Sequence, residues 1–219
     1  MPGRERCVPL SVASVAPQVD EFFLSLNDDA RAPGSVAQNV RVSRTRSDDR
    51  AKFIHAPKWE GVFLTVDDDI IYPPGYVDAL ASRAAAWPEV PVGFHGSILS
   101  GLHDDYYAES ARTILRYFAD VAADRTVDVI GTGTMAFVPK AIGFDADWLT
   151  QRGVTDLEFS ANLRDRGIRP VVLAHSSGWI RPVPAVLRTT SLSAASRRRE
   201  AGPLDVRDVA RLIVKERFM

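Results

Sequence analysis

Residues 61–76, GVFLTVDDDIIYPPGY, are the stretch on which the fold turns. Val62, Phe63, Leu64, Thr65 and Val66 make a short continuous apolar run rich in β-branched and aromatic residues, the pattern of a strand buried on both faces of a parallel sheet. Three carboxylates follow it. Side chains alternate along a strand, so Asp67 and Asp69 project to one side and Asp68 to the other. That places a carboxylate pair at a strand's carboxyl end, where open α/β sheets hold their ligands. Pro73 and Pro74 stop the strand. Like charges this close repel unless a cation joins them, and a divalent metal is the natural counter-charge. Two other readings stay open: a solvated acidic turn capping the next helix, and a phosphatase-type pair with Asp67 as nucleophile and Asp69 two residues on. An EF-hand is disfavoured, because Tyr72 stands where that loop needs glycine.

Composition sets the frame around this stretch. With 219 residues, 46% hydrophobic and 25% charged, the chain has the make-up of one ordinary globular domain. A formal net charge of −1 gives no global basic field, so no nucleic-acid partner is expected. The lone Cys7 excludes an internal disulfide and a cysteine zinc site. Nothing approaches the apolar length of a transmembrane helix or signal peptide, and a cytoplasmic location is the expectation.

Toward the amino terminus, residues 8–15 (VPLSVASV) and 19–26 (VDEFFLSL) both have the character of strands, the second built on Phe22, Phe23 and Leu24. So few residues separate them that a parallel crossover helix does not fit between them. Residues 39–43 (NVRVS) alternate as a further strand, and 44–50 form a charged loop. A short helix begins at Lys52, just ahead of the central strand, where its ammonium would either hold a phosphate or be solvated.

Toward the carboxyl terminus, Val77, Leu80, Ala81, Ala84 and Ala85 have helical spacing. Residues 91–95 (PVGFH) follow as a buried strand ending on His95. Residues 103–107 open a polar loop, and 108–122 predict a helix with Ile114, Leu115, Phe118 and Val121 inward. Strands at 127–129 and 134–138 flank Gly131, Thr132 and Gly133, which let backbone approach a ligand closely or simply make a tight turn. A helix is predicted from Thr155, as its cap, to about Arg166, with Asp156 in the first turn, where the helix dipole favours a carboxylate. His175 ends a strand at 171–174. Residues 181–203, with Arg197, Arg198 and Arg199, form a loop in this reading, and 204–218 a closing amphipathic helix.

These pieces together resemble the bacterial glycosyltransferases of the GT-A fold, close to family 2 and to capsule- and wall-polysaccharide enzymes. The matching segments are VASV (12–15), DRAKF (49–53), VFLTVDDDIIYPP (62–74), HG (95–96), VDVIGTGTMAF (127–137) and TDLEFS (155–160). The resemblance implies an α/β, Rossmann-like domain over residues 1–180, with a mixed, mostly parallel sheet flanked by helices, and a loop and helix of 181–219 packed on it. It implies a nucleotide-sugar donor whose diphosphate is held through Mg²⁺ or Mn²⁺, and a glycan or polysaccharide acceptor.

By the same resemblance Asp67, Asp69 and His175 would hold the metal, and Val12, Ser14, Asp49, Lys52, Asp67 and Asp68 would contact the donor. Gly131, Thr132 and Gly133 would line the acceptor side, and Asp156 would be the general base. Proteins of this kind work in the cytoplasm or at the inner face of the membrane. The chain departs from the pattern in three places: the first crossover helix is missing, Gly75 replaces a common Asp, and Glu158 replaces an aromatic residue. A missing helix would leave one wall of the nucleotide cleft open and favour self-association. Two alternatives follow: a non-catalytic remnant that binds nucleotide or a partner, and a metal-dependent phosphoryl or nucleotidyl transferase.

Overall fold

Residues Val8–Val15 fold as an α-helix (α1), not as the expected strand, in the computed structural model, which describes residues 6–27, 37–45, 49–101, 106 and 109–184. Pro9 lies in the first turn, where its fixed φ suits a helix and its missing N–H costs nothing. Ser11 and Val15, one turn apart, are the buried positions. A helix thus stands directly ahead of the second segment, with no strand before it among the described residues.

A short 3₁₀ turn, Ala16–Gln18, leads into β1 (Phe22–Asn27), which pairs in parallel with β2 (Val40–Thr45). Two further 3₁₀ turns, Asp49–Phe53 and Ala56–Lys58, precede β3 (Phe63–Val66). The chain continues through β4 (Ile70–Ile71), α2 (Tyr76–Ala86), β5 (Val92–Gly93) and β6 (Gly96–Leu99). It then forms β7 (Arg112–Leu115), β8 (Arg125–Thr126), β9 (Val129–Ile130), β10 (Thr134–Phe137) and α3 (Pro139–Ile142). Last come α4 (Thr155–Asp165), β11 (Val171–Val172) and β12 (Arg181–Pro182).

The result is a mixed α/β architecture whose central sheet runs β3-β10-β5-β11-β8. Of its pairings only β11 with β5 is parallel; β10 is antiparallel to both β3 and β5, and β11 to β8. The sheet is mixed as expected but not mostly parallel. The apolar run of β3 has another cause. Leu64 and Val66 pack with Val77 and Leu80 of α2, while Phe63 faces the aromatic core of Phe53, Phe137, Phe144 and Phe159. Two covered faces make a strand apolar throughout, whatever the direction of its neighbours.

A second departure lies at 108–122. Among the described residues of this segment, Arg112–Leu115 is a strand, antiparallel to β6 with Ile98 opposite Thr113. The apolar residues that mimic a helical period fall on this strand and the turn after it. The tail expected to be a loop begins with β12, which pairs with β4, and the Val183 N–H donates to the Asp69 carbonyl at 2.8 Å. The rest of the 181–219 segment, with the closing helix, lies outside the described residues, as do parts of the 103–107 loop.

Candidate functional site

The carboxyl end of β3, the 131–133 turn before β10, the first turn of α4 and the 49–53 turn enclose a cavity of about 350 Å³. Asp49, Lys52, Asp67, Asp69, Thr132 and Asp156 all line it. Residues from four separated segments thus meet in one place, and each is held there by identifiable bonds.

Asp67 is fixed through its backbone. The buried Tyr72 hydroxyl accepts the Asp67 N–H at 2.8 Å and donates to the Gly133 carbonyl at 2.8 Å, so one phenol joins the acidic strand end to the glycine turn. Ser11 of α1 donates to the Asp67 carbonyl at 2.8 Å. The Asp67 carboxylate meets the Lys52 ammonium at 2.5 Å. Burial lowers the Lys52 pKa, but the Asp67 charge, followed by those of Asp156 and Asp49, outweighs it and leaves the pKa raised. Lys52 is therefore a fixed cation in this cavity.

Asp156 is oriented from the glycine turn. Its Oδ1 accepts the Thr132 N–H at 2.9 Å and the Thr132 hydroxyl at 2.6 Å. Thr155 does not cap α4, as expected from sequence; its hydroxyl donates to Asp49 Oδ2 at 2.9 Å. Asp49 Oδ1 also accepts the Gly153 N–H at 2.7 Å, so this carboxylate anchors the turn that carries Asp156. Glu158 has a similar task one turn along the helix. Buried at 7% exposure, it accepts the Thr150 hydroxyl at 2.7 Å and the N–H groups of Thr150 and Gln151.

The glycines are needed for space. A Cβ on Gly133 would lie 2.5 Å from the Asp67 carboxyl carbon, and one on Gly131 would lie 2.6 Å from Cδ2 of His95. His95 itself lines the cavity, and its Nδ1 is enclosed with no hydrogen-bond partner among the described residues. Burial is the main cause of its lowered pKa, which favours the neutral ring. Arg112 and Arg116 also line the cavity and bring positive charge to it.

Four predicted site residues lie elsewhere. Val12 and Ser14 sit on α1, outside the cavity lining, because their segment is helical; the Ser14 hydroxyl accepts the Tyr72 N–H at 3.0 Å and so supports the site from behind. His175 pairs with Val121, and its ring nitrogens lie 2.8 Å from the Leu173 carbonyl and 3.2 Å from that of Arg116, so the structure does not bring it to the acidic cluster. Asp68 is also absent from the cavity lining; it lies in the turn after β3, not on the strand.

Among the described residues no group of three or more His, Cys, Asp or Glu is arranged to hold a metal by itself. Asp67 and Asp69 in one cavity still suit a hard divalent ion, since Mg²⁺ is commonly held by one or two carboxylates together with substrate phosphates. No helix among the described residues is long and apolar enough to cross a membrane. No family model matches the chain, and comparison with curated proteins gives no match.

Proposed function

We propose that this protein is a metal-dependent glycosyltransferase that moves a sugar from a nucleotide-sugar donor to a hydroxyl of a glycan or polysaccharide. One observation carries the reading: Asp67, Asp69, Lys52 and Asp156 share a single cavity, with Lys52 paired to Asp67 and Asp156 held apart from them by Thr132. Asp67 and Asp69 would hold Mn²⁺ or Mg²⁺, which supplies charge neutralisation to the departing diphosphate. Lys52 adds a second positive charge on the leaving-group side. Asp156, held by Thr132, accepts the proton of the acceptor hydroxyl as its oxygen bonds to the anomeric carbon. The bond to the nucleoside diphosphate breaks, and its electron pair leaves with the phosphate oxygen.

A second reading, nucleotide binding without turnover, is favoured by the Lys52–Asp67 pair, because an ammonium already neutralises one of the two metal-facing carboxylates. Thermal-shift titrations with nucleoside diphosphates, with and without Mn²⁺, followed by product analysis with nucleotide sugars, separate the two. Transfer or donor hydrolysis supports the first, and Mn²⁺-dependent binding with no turnover of any donor supports the second. Asp69→Asn should abolish the Mn²⁺-dependent part of the shift; if it survives in a folded variant, Asp69 is not a ligand.

A further inference from the structure

A second cavity, about 370 Å³ in volume, lies between β1 and β3 and shares Lys52 with the acidic site just described. Its long sides are strand edges. The Phe22 N–H donates to the Asn39 carbonyl just ahead of β2, so Phe22, Leu24 and Leu26 turn their backbone groups to β2, and Phe23 and Ser25 turn theirs the other way. On the facing side the Thr134 carbonyl accepts from Phe94, so Thr134 and Ala136 serve β5, and Met135 and Phe137 serve β3. Thr65 and Phe63 are their partners. Leu64 and Val66 then aim their N–H and C=O groups away from β10 and into the slot, where no strand among the described residues pairs with them.

The two edges run in the same direction. Asp20 and Glu21, just before β1, and Glu60, just before β3, line one end of the slot. At the other end Ser25 of β1 donates to the Ala51 carbonyl, and the next residue, Lys52, reaches Asp67 at the end of β3. The rest of the lining is mostly apolar, with Val15 of α1, Val77 and Ala81 of α2, Phe23 and Trp59 beside the polar Gln18.

We infer that this slot receives an extended peptide strand from a partner polypeptide, parallel to β1 and β3, which joins the two sheets into one. Ladder bonds to both edges would hold it by β-strand addition. Its chemistry follows from the walls. About five residues at 3.3 Å each span the edges. They are apolar and β-branched throughout, because both faces are covered, and they are preceded by one or two basic residues that meet Asp20, Glu21 and Glu60. The carboxyl end of the strand would emerge beside Lys52 and Asp67, adding a wall to the acidic cavity.

The probe is a capped heptapeptide, RKVIVTV, titrated to about 1 mM, a concentration that still detects binding worth about 4 kcal/mol. The readout is amide hydrogen exchange. Exchange at Phe23, Ser25, Leu64 and Val66 should slow at least about tenfold, with smaller changes at Leu24 and Thr65, and the melting temperature should rise. RKVPVTV, which lacks one ladder N–H and cannot continue a strand, should give neither effect. Unchanged exchange at these amides with RKVIVTV overturns the inference, as does equal protection by both peptides. If the chain alone self-associates on dilution-sensitive sizing and protects the same amides without peptide, the occupant is a second copy and the partner assignment fails. None of these outcomes depends on whether the acidic cavity transfers a sugar.

Discussion

Tyr72→Phe removes one oxygen and nothing else, so it isolates the strut that joins the acidic strand end to the glycine turn. The ring is buried at 1% exposure and packs on Tyr76 with centroids 4.6 Å apart, contacts that phenylalanine keeps. Lost are the acceptor for the Asp67 N–H and the donor to the Gly133 carbonyl. The Asp67 carbonyl keeps Ser11. Two backbone groups are left without their partner, at about 1–3 kcal/mol each when fully buried. The adjoining cavity lets water relieve part of this, so the expected loss is about 2–4 kcal/mol, or about 5–15 °C in Tm for a chain of this size. Tyr76→Phe is the matched control. The Tyr76 hydroxyl is equally buried but has no hydrogen-bond partner among the described residues, so its removal should be neutral or stabilising by up to about 1 kcal/mol. Urea unfolding followed by tryptophan fluorescence measures both, with ΔG compared at constant m. Equal effects of the two substitutions, or a Tyr72→Phe loss below about 0.5 kcal/mol, would refute the strut.

Both tyrosines have pKa values pushed well above the usual 10.0, first by burial. The unfolded chain then loses these protons before the folded one, so their contribution is intact below pH 10 and falls above it by about 1.4 kcal/mol per pH unit for each tyrosine; an alkaline stability profile that Tyr76→Phe leaves unchanged would contradict this. Asp156→Asn should lower turnover by about two to four orders of magnitude while nucleoside diphosphate affinity stays within a few-fold, as steady-state kinetics and calorimetry would report; turnover near wild type removes Asp156 from the mechanism. Glu158→Gln keeps the size of a buried side chain but turns one acceptor of the Thr150 and Gln151 bonds into a donor, at a cost of about 2–3 kcal/mol in chemical denaturation.

What could be seen in the sequence divides along physical lines. The strand at 63–66, the helix from Tyr76 and the helix from Thr155 were legible because each carries a local pattern that agrees with its tertiary burial. Residues 8–15 were not, because the β-branched character of Val8, Val12 and Val15 argues for a strand, whereas Pro9 and the spacing of Ser11 and Val15 argue for a helix. Burial of the helical face decided it. At 112–115 the error ran the other way. Ile114, Leu115, Phe118 and Val121 happen to fit a helical period, but ladder bonds to β6 outweigh it. The direction of the central strands was hidden for a different reason: apolar runs report covered faces, and they say nothing about which way a neighbour runs.

The acidic residues were visible one by one; their arrangement was not. Asp67, Asp69, Thr132 and Asp156 were singled out from local chemistry, and they line one cavity. The residues that fix them act across the chain. Tyr72 reaches Gly133, Ser11 reaches Asp67, and Asp49 reaches Gly153 and Thr155, spans of 61, 56 and 104 to 106 residues. No spacing rule encodes such contacts. They explain why this cavity keeps its carboxylates in place: each acidic segment is tied through hydroxyl or backbone N–H groups, and Lys52 pairs directly with Asp67 while its charge also reaches Asp156 and Asp49. Asp67 is thus in direct contact with an ammonium, whereas Asp156 Oδ1 is held by the neutral Thr132 N–H and hydroxyl. In the proposed transfer, that difference suits Asp156 to take the proton and the Lys52 side to receive the charged leaving group.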